Sequence, residues 1–236
     1  MQQIFRPQEK QLSIVILSDF NPAMFHPIWF ETNGIISKEQ SEIAQNQTGG
    51  FQMIVTTQLT FFKTDDVTVK VEPKRMDIVS SNGVVTSLKD FAIKTIQTLN
   101  SFSVKAYGYN FSAHYYIENI SDYQKIGDTL APKKYWKEFL GEEISGDKRK
   151  SGLLQLRMIK TKENGKGTTT LDVEPSIKIN QGVYIYCNDH FNLAEGEQNF
   201  DFVYRQIYNG FEARINDIEE LQLNLLKGIL NEQVWC

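Results

Sequence analysis

"VTVKVEPKRMDI", residues 67–78, and "TTLDVEPSIKI", residues 169–179, decide how the chain is read. In each, a run alternating between apolar and polar residues reaches Val-Glu-Pro, and a second strand-like run follows. Alternation with a period of two marks a strand with one buried face. Proline lacks a ladder donor and bends or ends the strand that contains it. An amphipathic helix pattern comes after both runs, "SLKDFAIKTIQTLN" at 87–100 and a much longer one from about Asn199. Strands gathered ahead of each helix point to an antiparallel α+β protein, not to a parallel βαβ sheet. The expectation is a single pseudo-symmetric domain over 1–236. It consists of antiparallel sheets in two diverged β-β-β-α-like halves, approximately 1–145 and 146–236, with a long C-terminal helix.

Outward from these runs, "QLSIVIL" (11–17), "FQMIVTTQLTFF" (51–62), "RMDIV" (75–79) and "GVYIYCNDHF" (182–191) read as further strands. Asp65-Asp66 and Asn164-Gly165 supply turns. Ser37 followed by Gln40 has capping-box spacing and starts a short helix, and Ser87 is the expected cap of the 87–100 helix. "NPAMFHPIWFETNG" (21–34) carries Pro22, Pro27 and Gly34, which break regular structure. Its Met24, Phe25, Ile28, Trp29 and Phe30 form either a plug for the core or, less favoured, an exposed anchor. "GEEISGDKRKSG" (141–152) is the expected mobile loop or half-boundary. In the last helix, Gly210 marks an expected bend.

Composition narrows the function classes. The 236 residues carry a formal net charge of −4 and a pI near 5.5, so nucleic acid is an unlikely partner. Cys187 and Cys236 make neither a disulfide framework nor a zinc motif. No apolar run approaches the ~20 residues of a membrane span, no signal-peptide pattern is seen, and the cytoplasm is the default compartment.

"VYIYCNDHF" (183–191) crowds a cysteine, an aspartate and a histidine together. Strand periodicity puts Val183, Ile185, Cys187 and Asp189 on one face, and Tyr184, Tyr186, Asn188 and His190 on the other. Cys187 is thus a buried thiol out of reach of His190, and Asn188 and Asp189 end the strand in a turn. "VKAYGYNFSAHYYIEN" (104–119) divides likewise. Tyr107, Tyr109, Phe111 and Tyr115 share a face that packs under a helix. Asn110, Ser112 and His114 share a small, polar face that forms the candidate pocket. No phosphate loop, dinucleotide fingerprint or nucleophile elbow occurs.

The phrases "DFNPAMFHPIWF", "GDTLAPKKYW", "VEPSIKI" and "VYIYCNDHF" resemble an uncharacterised, sporadically distributed bacterial family of hypothetical proteins, from about residue 12 to 230. The resemblance implies the same order of strands and a long C-terminal helix. It carries no activity and no site residue, and its patchy distribution suits an accessory role in a mobile or defence-related gene cluster.

The leading expectation is a non-enzymatic interaction or scaffolding protein, an accessory component of a bacterial complex, with no cofactor and no metal. Its partner, or a second copy, meets the apolar stripe of the last helix at Ile218, Leu221, Leu225 and Ile229, with Trp29 as a further contact. One alternative is a metal-assisted hydrolase using His114 and His190. The other is a binder of a ligand or single-stranded nucleic acid on the 104–119 strand.

Overall fold

Leu12, Ile14 and Ile16 alternate with Ser13 and Val15, so the first strand can bury one row of aliphatic side chains and offer its other row to a different environment. The computed structural model, which describes residues 5–46, 53–99, 103–140 and 152–231, repeats that division across nine strands. In chain order the elements are β1 (Pro7–Ser18), α1 (Pro27–Thr32), α2 (Lys38–Gln45), β2 (Ile54–Val55), β3 (Thr60–Lys63), β4 (Val67–Glu72), β5 (Arg75–Ser80) and α3 (Val85–Thr98). Then come β6 (Val104–Tyr116), α4 (Ile120–Leu130), α5 (Lys137–Leu140), β7 (Leu156–Thr161), β8 (Gly167–Pro175), β9 (Gly182–Asn192) and α6 (Phe200–Leu230). The fold is α+β, with every strand pair antiparallel in one sheet of order β2-β3-β4-β5-β1-β6-β9-β8-β7.

The elements run in a similar order in two stretches. A long strand is followed by short helices, an antiparallel meander and a packing helix, first as β1 to α3 with four meander strands and then as β6 to α6 with three. In each run the long strand pairs with the last strand of the meander, β1 with β5 and β6 with β9. The Val-Glu-Pro echo fixes a register between them. Val71 pairs with Met76, which pairs with Ile16; Val173 pairs with Ile185, which pairs with Ala113. Three residues before Ile16 and Ala113 lie Ser13 and Asn110, which face each other directly across the β1–β6 junction. β5 and β9 flank this junction on either side, each beside its own long strand. Most of the expected boundary loop at 141–152 lies outside the described residues.

Several local expectations change. Pro27 does not break regular structure; it opens α1 at the first turn, where its missing N–H costs nothing, and His26 Nδ1 accepts from Ile28 N at 3.2 Å. The aromatic segment is the core plug. Trp29 meets Phe25 and Phe30 edge to face at 5.3 and 4.9 Å, and Phe30 stacks on Phe91 of α3 at 5.3 Å. The Ser37–Gln40 capping box of α2 is present. α3 begins two residues before Ser87, and the side chain of Asn82 accepts from Val84 N. Residues 176–179 are a loop, not a strand; β9 begins at Gly182. A Cβ at Gly182 would lie 2.7 Å from Ile179 O and from Ser176 Cβ, so only glycine lets this loop close. The 51–62 run is a hairpin of β2 and β3 in its described part.

The helices cover one face. Tyr109 meets Phe211 of α6 at 5.1 Å, α3 and α6 pack on each other, and Phe30 of α1 reaches Phe62 of β3. α6 is 31 residues, about 46 Å long, and runs unbroken through Gly210. Two polar anchors set its position on the sheet. Gln222, fully buried, accepts from Tyr115 Oη at 2.9 Å and directs its amide N–H groups to the carbonyls of Phe111 and Ile185. Arg214 Nε donates to Asp189 Oδ2 at 2.6 Å.

Asp189 does not end its strand; it is fully buried in β9, on the face predicted by periodicity. Thr169 Oγ1 donates to it at 2.7 Å and Lys162 Nζ pairs with the same oxygen. Burial pushes its carboxyl up, but the hydrogen bonds from Arg214, Lys162 and Thr169 outweigh this and hold it below its ordinary 3.8. A buried carboxylate stays ionised only with such partners.

Two stability outcomes follow from these helix contacts. Gly210→Ala, at a helix position with no atom within 4 Å of the new Cβ, raises stability by about 1 kcal/mol in chemical denaturation. Asp189→Asn removes the buried carboxylate that Lys162 and Arg214 share and lowers stability by about 3 kcal/mol at neutral pH. Because the folded carboxyl titrates below the unfolded one, its contribution is complete above pH 3.8 and disappears as pH falls through the folded value. The variant therefore loses less stability than the wild type on acidification below pH 4, read from denaturation midpoints across the acid range.

Candidate functional site

The register of the sheet collects the outward row of every strand onto the face opposite the helices. Along the centre run Glu9, Gln11, Ser13 and Val15 of β1, matched with His114, Ser112, Asn110 and Gly108 of β6. Beside them lie Tyr184, Tyr186, Asn188 and His190 of β9, then Glu174, Asp172, Thr170 and Thr168 of β8. Ion pairs flank this row on both sides. Arg75 holds Asp77, and Arg157 forks onto Asp172 with contacts of 2.6 and 2.7 Å.

At the centre of the β1–β6 pairing, Asn110 ties three strands together. Its Nδ2 donates to Ser13 Oγ at 2.8 Å, while its Oδ1 accepts from Tyr186 Oη at 2.9 Å and from Asn188 Nδ2 at 2.5 Å. Asn110 is thus committed to structure. Two and four residues on, Ser112 and His114 line a cavity of about 300 Å³. Its walls come from Glu9, Lys10 and Gln11 of β1, from Tyr184 of β9, and from the end of β8 with the following loop.

That loop, residues 176–181, determines the chemistry of His114. Ser176 Oγ accepts from Lys178 N at 3.1 Å and from Ile179 N at 2.9 Å, which occupies both oxygen lone pairs. Its proton must therefore point at His114 Nδ1, 2.8 Å away, and the network assigns the imidazole proton to Nε2. Burial, and then the nearby Lys178 ammonium, lower the His114 pKa and favour the neutral ring. Tyr184 packs against the ring with centroids 4.6 Å apart. A Ser–His contact has the outline of a nucleophile and its base. Here the serine oxygen has no free lone pair for attack, so the contact fixes the loop and orients the ring.

The remaining sequence candidates separate. His190 pairs with Gly108, six residues along β6 from His114, so the two histidines lie roughly 20 Å apart and cannot share a metal ion. His190 instead contacts Asn192 Oδ1 at 3.0 Å. Among the described residues no group of three or more His, Cys, Asp and Glu side chains is arranged to hold a metal. Cys187 is fully buried under α6, and burial pushes its thiol up to about 12. Tyr107, Tyr109, Phe111 and Tyr115 are buried beneath the helices and offer no platform for bases.

The expected interaction stripe on α6 is largely consumed by the chain itself. Ile218 is 2% and Ile229 9% exposed, Leu225 is half-buried, and only Leu221, at 46%, remains open. One sheet spanning both runs, with α3 and α4 alongside, covers a stripe that two separate sheets would have left bare. Trp29 is likewise spent on the core plug. No described helix is long and apolar enough to cross a membrane.

Periodicity identified Ser112 and His114 as neighbours on one face, but not Gln11, Glu174, Lys178 or Tyr184, which reach the cavity through pairing and through the loop. A second cavity of about 600 Å³ lies on the helix side beside α4, lined mainly by apolar groups such as Ile126, Leu140 and Leu153. No known protein-family model matches the chain, and no curated protein matches it.

Proposed function

We propose that the chain is a non-enzymatic binding protein that works through the open face of its sheet, not through α6, and that it arose by duplication of one strand–helix–meander–helix unit. The observation that carries this is the cavity at Ser112 and His114, which β6 and the 176–181 loop of the second unit form against Glu9 and Gln11 of β1. In the register of the two units, Ser112 corresponds to Val15 and His114 to Leu17, so the first unit presents apolar side chains where the second presents polar ones. The first unit also joins β4 to β5 through Pro73 and Lys74, whereas the second joins β8 to β9 through residues 176–181. Two copies of one scaffold differ where a longer loop walls off a polar hollow.

Chemistry at the same place is opposed by the groups themselves. The hydroxyl nearest the imidazole is held by two backbone N–H groups, and the one thiol among the described residues is sealed in the core. A binding role needs neither a nucleophile nor a general base.

Native mass spectrometry of the purified full chain, without added ligand, tests this together with Ser112→Trp, which fills the cavity. The expected result is a small-molecule adduct on the wild type that the variant lacks while still melting cooperatively. A bare wild-type mass, together with a Tm unmoved by pooled small metabolites, defeats the proposal.

A further inference from the structure

We infer that the cavity between β1, β6, β9 and the 176–181 loop takes a neutral polyhydroxylated ring, a saccharide unit or short oligosaccharide. This rests on the binding role proposed above and adds the class of ligand.

The charges around the cavity are balanced and already engaged. Lys178 Nζ pairs with Glu9 at 2.6 Å, Lys10 Nζ pairs with Glu219 at 2.6 Å, and Glu174 accepts from Gln155 Nε2 at 2.8 Å. With His114 neutral, an anionic ligand finds no uncommitted cation, and it meets two carboxylates. A cationic ligand must displace a lysine from its partner. Either exchange returns little, because partly exposed ion pairs contribute little while an incoming charge must still be desolvated.

Neutral hydrogen-bonding groups are what the cavity has to spare. The Ser112 hydroxyl, the Gln11 amide and the Nε2–H of His114 have no hydrogen-bond partner among the described residues, and all three residues line the hollow. Hydroxyl and amide both donate and accept, the imidazole N–H donates, and the carboxylates of Glu9 and Glu174 retain acceptor sites. A ligand that satisfies this set must bring several donors and acceptors at close spacing without net charge, which is the chemistry of vicinal hydroxyls. Carboxylates receiving ligand O–H groups make the stronger, charge-assisted contacts.

The apolar part of the lining fits the same ligand. Pro175, Ile177 and the ring of Tyr184 flank the polar groups, and Ile177 is 98% exposed at the rim. The C–H face of a sugar ring gives such a surface something to cover. A volume of about 300 Å³ lies at the small end of ligand sites and suits one sugar unit with its neighbour emerging past the rim.

The test titrates the ¹⁵N-labelled full chain with glucose, N-acetylglucosamine and cellotriose, and with glucuronate, glucosamine and inorganic phosphate as charged counterparts. Backbone amides at 112, 114, 174–178 and 184 report. The expected result is saturable shifts with at least one neutral saccharide, about tenfold weaker or absent shifts with the charged probes, and loss of the response in Tyr184→Ala. Gln11→Ala, on an exposed strand position, weakens the same response and covers the case in which the Tyr184 variant fails to fold. Shifts from phosphate or glucuronate equal to those from glucose overturn the ligand class and leave the binding role standing. An adduct in the native mass spectrum with no saccharide response does the same. Silence in both experiments removes the ligand class and the binding role together.

Discussion

The antiparallel pairing of β1 with β6 is the constraint from which the rest of the structure follows. It joins a five-strand array and a four-strand array at their long strands, with Ser13 opposite Asn110, and turns them into a single surface. Once joined, both packing helices must lie on the same side. There they bury Leu12, Ile14 and Ile16 of β1 together with Tyr109, Phe111 and Tyr115 of β6. The opposite side is left without a helical cover. Its central residues are small and polar, and they satisfy one another sideways through Asn110 instead of upward through a second layer. A sheet with one face solvated is a normal antiparallel arrangement. Here that face also carries the hollow under the 176–181 loop.

The two faces solve the problem of polar groups differently. On the helix side, Asp189, Gln222 and Tyr115 are buried polar groups with complete partners, and each joins an element that hydrophobic contact alone would let slide. A single apolar stripe along a 31-residue helix specifies burial but only weakly specifies register along the sheet. The Arg214–Asp189 and Gln222–Tyr115 contacts supply that register, at positions two turns apart on α6. On the open side, Ser112 and His114 are left incompletely partnered, which is the condition a binding surface needs.

Much of the fold was legible because strand faces follow directly from a period of two. The division of 183–191 into a Cys187–Asp189 face and a His190 face is what the sheet displays. So is the division of 104–116 into an aromatic buried row and a small polar row. The Ser37–Gln40 box and the Asp65-Asp66 turn were local signals with local causes. What stayed hidden depends on partners remote in the chain. Asp189 looked like a turn residue because the groups that make its burial tolerable, Lys162 and Arg214, lie 27 and 25 residues away. The stripe on α6 looked too long to cover because nothing local reveals that β1 and β6 pair, and that pairing is what widens the sheet. Half of the cavity wall was invisible for the same reason, since Gln11 reaches Ser112 only through the β1–β6 register.

The pairing of Ser13 with Asn110 has a consequence for how the two sides of the junction can differ. In a symmetric dimer of identical chains, the residues facing each other across the twofold axis are the same residue, and any change appears twice. Here the facing residues are Ser13 and Asn110, carried by one polypeptide. The junction forms at the effective concentration set by the intervening chain, so the completed sheet does not depend on how much protein is present. Each side is also free to mutate alone. One unit can keep Val15 and Leu17 as plain sheet surface while its counterpart keeps Ser112 and His114. Carrying both sides on one polypeptide thus exempts the junction from symmetry.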